Sequence, residues 1–210
     1  TKTLKLGTGV LVLPQRQLVT TAKQIATLDQ MSGGRVLLGV GVGWMPEEFR
    51  ALGVPFERRG KRTDEYIEAM RELWTAELPT YHGEFVSFEG VHCRPRPANG
   101  SVPIIIGGHS RAAAKWAGQL GDGFFPAREF VHELGDLVRR TAEDAGRDPA
   151  SIEIVTNMPE DPDEMVPLAA QGVTRMMVPV VGLAGVKDRG IDGPEDVFKF
   201  RETIERYADL

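Results

Sequence analysis

A single cysteine, Cys93, rules out an intramolecular disulfide and fits a reducing compartment. Basic charge is in deficit as well: 25 Lys and Arg against 30 Asp and Glu leave a net charge of −5. With no basic stripe either, nucleic acid is not expected as a partner. No run of about eighteen apolar residues occurs, so no membrane span and no membrane partner is expected. The opening "TKTLKLGTGV" carries no signal-peptide pattern, which together with Cys93 points to the cytoplasm. The four histidines (His82, His92, His109 and His132) lack metal-ligand spacing, and HExxH is absent, so no metal site is expected. A P-loop and a GxSxG nucleophile elbow are missing too. No side chain stands out as a catalytic nucleophile or base.

What the chain has is rhythm. At 41% hydrophobic and 26% charged residues it has the composition of a folded domain, and 210 residues are most simply one domain, 1–210. "LKLGTGVLVL" (4–13) reads as a buried strand, and 18–32 follows as a helix with Leu18, Ala22, Ile25 and Leu28 at helical spacing. Gly33 and Gly34 stop it. Strand 35–43 and helix 61–75 repeat the pattern. Residues 81–102 break it and read as an inserted hairpin or long loop, ending in Pro95 and Pro97. Strand 102–107, helix 110–121, strand 123–126, helix 129–146, strand 151–157, short helix 162–172, strand 175–181 and helix 193–210 complete it. About six βα units of this kind predict an α/β fold with a parallel sheet and helices outside it, as a barrel or a doubly wound layer.

Glycines mark two strand ends. Gly39, Gly41 and Gly43 do not have dinucleotide-fingerprint spacing, since neither Trp44 nor Pro46 supplies its third glycine. Gly39 reads as relief of crowding on a tightly packed strand, a reading that stays open for Gly41 and Gly43. Gly41 and Gly43 lie at a carboxyl end, where parallel α/β sheets bind ligands. Gly107-Gly108-His109-Ser110 closes a strand just before a helix, with Ser110 as N-cap. Free N–H groups and the positive dipole end there suit a phosphate or carboxylate. Arg59 and Arg62 of "ERRGKR" are either solvated or contacts for an anionic tail.

Three stretches together resemble a known family: "LDQMSGGRVLLGVGVGW", "EEFRALGVPFERRGKRTDEYIEAMRELW" and "PIIIGGHSRAAAKWAGQLGDGFFP". They are similar to the bacterial-luciferase-like (luciferase-like monooxygenase) superfamily, nearest its actinobacterial branch that uses the deazaflavin F420. The resemblance runs from about residue 4 to about residue 190 and implies a (β/α)8 TIM-barrel type. Residues 4–13 match the family's third strand, so the barrel is expected to be incomplete, lacking the family's N-terminal strands. The resemblance implies F420, or alternatively FMN, at the carboxyl ends of the strands. It places a bulge with a non-proline cis peptide at Thr8 and Gly9, against the cofactor ring. Gly41, Gly43 and Trp44 would lie along the cofactor, and Gly107, Gly108, His109 and Ser110 would hold its phosphate.

The function implied is an F420-dependent or flavin-dependent oxidoreductase or monooxygenase. It would transfer a hydride between the deazaflavin and a small organic substrate, with the protein supplying position. The alternative is a non-catalytic cofactor-binding or subunit protein built on the same barrel. Open strand edges along 4–13 and 175–181 carry few of the usual protections, so a homodimer is expected.

Overall fold

Every residue of Val36–Gly41 is buried, as a strand covered on both faces requires, and the computed structural model is organised around it. The structure describes residues 2–126, 132–178 and 193–207. In chain order the elements are β1 (Leu6–Gly7), β2 (Leu11–Val12), α1 (Leu18–Ser32), β3 (Val36–Gly41), α2 (Pro46–Ala51) and α3 (Arg59–Thr75). Then come β4 (Tyr81–His82), β5 (Ser87–Phe88), β6 (Ile104–Gly107), α4 (Arg111–Leu120), β7 (Gly123–Phe125), α5 (His132–Asp144), β8 (Glu153–Asn157), α6 (Met165–Ala170), β9 (Arg175–Met177) and α7 (Arg201–Arg206).

The main sheet runs β1-β3-β6-β7-β8-β9, with β2 also on β3, and every neighbouring pair is parallel. β1 and β2 are two halves of one strand position, so six positions form a curled half-barrel with helices outside. The curl brings the ends together: a methyl group placed on Gly9 would stand 3.3 Å from Met177 Cε. This is the incomplete TIM-barrel type anticipated from the alternation and the resemblance.

Strand side chains alternate between two faces. Val36, Leu38, Val40, Ile104, Ile106, Phe124 and Ile154 belong to the large core that includes Leu18, Ala22, Ile67, Met70, Trp74 and Ala117 of the helices. The other face carries a second, small cluster: Leu37, Ile105, Phe125 and Val155, with Met177 against it. The small cluster lines the inside of the curl and forms the floor beneath the carboxyl-end mouth.

Two carboxylates tie down the opposite end. Asp29, 2% exposed, accepts the N–H of Val36 at 3.3 Å and of Ala98 at 2.9 Å. Asp122 accepts the Ile104 N–H and an Arg71 guanidinium N–H, each at 2.9 Å. They fix the starts of β3 and β6 and hence where those strands end.

The break at 81–102 contains the expected hairpin, with Tyr81 opposite Phe88 and His82 opposite Ser87. Glu65 of α3 fastens it by accepting three backbone N–H groups, from Glu84 (2.9 Å), Phe85 (2.7 Å) and Val86 (2.6 Å). The strand expected at 4–13 is not continuous. Leu6 and Gly7 pair with Val36 and Leu37, but Leu11 and Val12 pair with Val40 and Gly41. The offset falls from 30 to 29, so the first strand carries one extra residue, a bulge. The closing segment is a 3-10 turn, Pro194–Phe200, running into α7 rather than one long helix. Of the expected elements, 129–131, 179–181 and 208–210 lie outside the described residues.

Candidate functional site

Parallel α/β sheets offer ligands the carboxyl ends of their strands. At that end stand the bulge Thr8–Gly9–Val10, the segment Gly41–Trp44 after β3, Gly107–Ser110 after β6, and Phe125, Asn157 and Met177 closing β7, β8 and β9.

The bulge is held from below. Thr8 donates its N–H to the Leu37 carbonyl at 3.3 Å and its Oγ1 hydrogen to the Gly39 carbonyl at 2.8 Å. The resemblance put a non-proline cis peptide at Thr8–Gly9; it is at Gly9–Val10, one bond further along. The extra residue of the bulge sits between the two paired halves of the strand, and its place is set by pairing with β3, which the first strand alone does not reveal.

The bulge then explains three glycines. A Cβ on Gly107 would stand 2.5 Å from Val10 Cγ1, and one on Gly41 would stand 2.8 Å from Val10 Cγ2. On Gly39 it would meet the Thr8 carbonyl oxygen at 1.9 Å. Gly39 therefore relieves crowding, as its sequence context suggested. Gly41 relieves crowding too, one of its two readings from sequence, and Gly107 makes room for the same Val10 side chain, a role that its sequence context does not show. A valine beside a glycine in the first strand, with glycines at matching heights in two later strands, is the only trace of it in the sequence.

Gly43 is different. Its φ of +74° is one that L side chains rarely adopt, and Val12 and Phe49 crowd its open side at 2.7 and 2.8 Å. Its carbonyl accepts Arg59 Nε–H at 3.0 Å. Trp44 follows with 79% of its surface exposed.

At the start of α4, Ser110 is the N-cap, its Oγ accepting the Ala113 N–H at 3.1 Å. The Gly108 N–H is engaged with the Phe125 carbonyl at 3.0 Å. By helix geometry the N–H groups of Arg111 and Ala112, like that of Ser110, have no carbonyl one turn back. A phosphate here would meet these amides, the exposed His109 and the dipole of a ten-residue helix.

Burial raises the carboxyl of Asp64, which lies on α3 near Trp116 of α4. Burial also raises the Cys93 thiol. Among the described residues no cluster of three metal-ligating side chains occurs, and no helix is long and apolar enough to cross a membrane. The strand ends that form the mouth carry glycines, the exposed Trp44 and His109, and Phe125, Asn157 and Met177.

The sequence pattern of the family described as luciferase-like monooxygenase matches residues 1–160. The chain belongs to that family. An uncharacterized protein of Mycobacterium tuberculosis is 35% identical over 195 residues, 91% of this chain and 67% of its own length. The FMNH2-dependent dimethylsulfone monooxygenase of Pseudomonas putida is 40% identical over 108 residues, 50% of this chain and 30% of its own. The F420-dependent tetrahydromethanopterin reductase of Methanopyrus kandleri superposes with a TM-score of 0.62 at 25% identity, over 73% of this chain and 49% of that one. The chain spans about two thirds of the mycobacterial relative and about half of the solved reductase.

Proposed function

We propose that this chain binds F420, with FMN as the alternative, at the carboxyl-end mouth of the half-barrel. There it serves an oxidoreductase or monooxygenase reaction on a small organic molecule. The observation that carries the reading is the juxtaposition of a bulged Gly9–Val10 floor, the bare Trp44 and the start of α4, in a chain whose relatives include an F420-dependent and an FMNH2-dependent enzyme. The residues fit such a cofactor: the floor and the Trp44 ring offer flat surface, and the Arg111 and Ala112 amides suit its phosphate. When bound, the cofactor supplies the hydride chemistry. The chain's own part is to orient the ring and keep water from one side of it. Thr8, Gly9, Gly41, Gly43, Trp44, Gly107, Gly108, His109 and Ser110 belong to this site, Gly41 and Gly107 through the space they give Val10.

A non-catalytic, cofactor-binding role is the second reading. It is favoured by the makeup of the mouth, where the strand ends carry Gly41, Gly43 and Gly107 packed on Val10, Val12 and Phe49. Titrating the purified chain separately with F420 and FMN tests both. Saturable binding of one equivalent is expected, with F420 at least tenfold tighter. Binding of neither rejects the proposal. Binding without any substrate-driven change in cofactor absorbance favours the second reading.

We also propose that the 210-residue chain forms a homodimer within one 1–210 domain. Supporting this, β1 has no strand on its outer side among the described residues, and Leu4 and Leu6 are 40% and 46% exposed. Sedimentation at micromolar concentration is expected to give twice the chain's mass, and a monomer overturns the proposal.

A further inference from the structure

Of the three arginines around the start of α3, two are spent on the protein's own frame. Arg58 pairs with Glu84 of the hairpin. Arg62 is 6% exposed and donates to the Pro55 carbonyl at 2.7 Å. Arg59 does something else: it reaches from the first residue of α3 back to the mouth and donates Nε–H to the Gly43 carbonyl at 3.0 Å.

That hydrogen bond is one link of a closed chain of contacts. The Arg59 guanidinium carbon lies 3.8 Å from the centre of the Phe56 ring. Phe56 meets Phe49 edge-on, with ring centres 5.2 Å apart. Phe49, fully buried, fills the open side of Gly43, where an added Cβ would find its ring at 2.8 Å. Gly43 is thus gripped at its carbonyl by Arg59 and at its α-carbon by Phe49 and Val12. The next residue, Trp44, leaves this grip with its indole 79% exposed. The chain's other two indoles are packed away: Trp74 is fully buried and donates to the Ala22 carbonyl at 3.0 Å, and Trp116 is half-buried. A large aromatic ring left bare on a backbone fixed by four other side chains is a surface prepared for stacking.

We propose that Arg59 is a positioning residue that holds Trp44 as a fixed platform for the planar heteroaromatic ring of the ligand at the mouth. This rests on the cofactor-binding reading above and deepens it by separating ring recognition from phosphate recognition. Arg59 acts through Gly43 and Phe56, so its loss disturbs the ring's seat and leaves the phosphate's seat at α4 intact.

The test uses the whole chain with two probes that share a ring and differ in charge, riboflavin and FMN. Arg59→Gln is expected to lower affinity for both by the same factor, about tenfold. Acrylamide-sensitive emission, which reports the exposed Trp44, should lose anisotropy, while the midpoint of thermal unfolding stays near that of the parent. Arg59→Lys, which can still donate to Gly43, should recover most of the anisotropy and of both affinities. Loss confined to FMN means that the guanidinium meets the phosphate and overturns the platform. Unchanged anisotropy with unchanged riboflavin affinity overturns it as well, with the cofactor reading still standing. A parent chain that takes up neither probe overturns the platform, and if it takes up no F420 either, the cofactor reading falls with it.

Discussion

Gly39→Ala is expected to cost about 4 kcal/mol or more, in the range where single substitutions are exceptional. The clash is with backbone: an added Cβ would lie 1.9 Å from the Thr8 carbonyl oxygen and 3.0 Å from its carbon. Neither atom can swing away as a side-chain tip would. Thr8 is tied by its N–H to Leu37 and by its hydroxyl to the Gly39 carbonyl at 2.8 Å. Relief therefore requires lifting the bulge off β3, which breaks both bonds and carries Val10 out of its seat. Domains of this kind are stable by roughly 5–15 kcal/mol, so such a loss removes a large share of the whole. Gly60→Ala is the matched control. Gly60 lies in the first turn of α3 with no atom within 4 Å of an added Cβ, and alanine there should stabilise by about 0.5–1 kcal/mol. Urea unfolding midpoints with slopes compared across the three proteins check this. A Gly39→Ala chain within about 1 kcal/mol of the parent, well below the exceptional range, would show that the bulge does not depend on the missing side chain.

The same bulge separates what a linear reading reaches from what it does not. β3, β6 and β8 were legible because dense runs such as "RVLLGVGVG", "PIIIG" and "SIEIVTN" have to be covered on both faces, and that demand shows locally. Ser110 was legible for a similar reason, since an N-cap is a property of a few neighbouring residues. The family, too, was legible in the long motifs, and the match over residues 1–160 bears it out. The register change from Gly7 opposite Leu37 to Leu11 opposite Val40 exists only between two strands, so residue patterning shows one strand at 4–13; the bulge comes from the resemblance, whose cis peptide at Thr8–Gly9 is one bond early. Asp29 and Asp122 carry no local signal for the same reason. Their acceptor roles depend on Ala98, Arg71 and Ile104, which are remote in sequence. Arg59 shows in the sequence as a charge, and its bond to Gly43 spans a loop whose path the sequence does not state.

The glycines of β3 and β6 are where the two kinds of reading meet, and a double-mutant cycle separates them. Gly107→Ala is expected to destabilise by about 2–3 kcal/mol, the usual cost of forcing an extra methyl into a filled space, because its Cβ would sit 2.5 Å from Val10 Cγ1. Val10→Ala removes the obstructing methyls, and at 37% exposure its own cost should be modest, about 1 kcal/mol. In the double variant the closest remaining neighbour of the new methyl is the Val40 carbonyl oxygen at 3.3 Å, tight but bearable with a small shift. Gly107→Ala should then cost about 1 kcal/mol, so the two sites are coupled by roughly 1–2 kcal/mol. Additive losses would mean that Val10 is not what keeps residue 107 a glycine. Ligand affinity read on the same four proteins carries the second half of the question. If residue 107 is a glycine only to seat Val10, restored stability should come with cofactor affinity close to that of Val10→Ala alone. If the ligand itself closes on that backbone, the double variant will fold well and still bind at least tenfold more weakly than Val10→Ala, about 1.4 kcal/mol that no repacking of the floor returns.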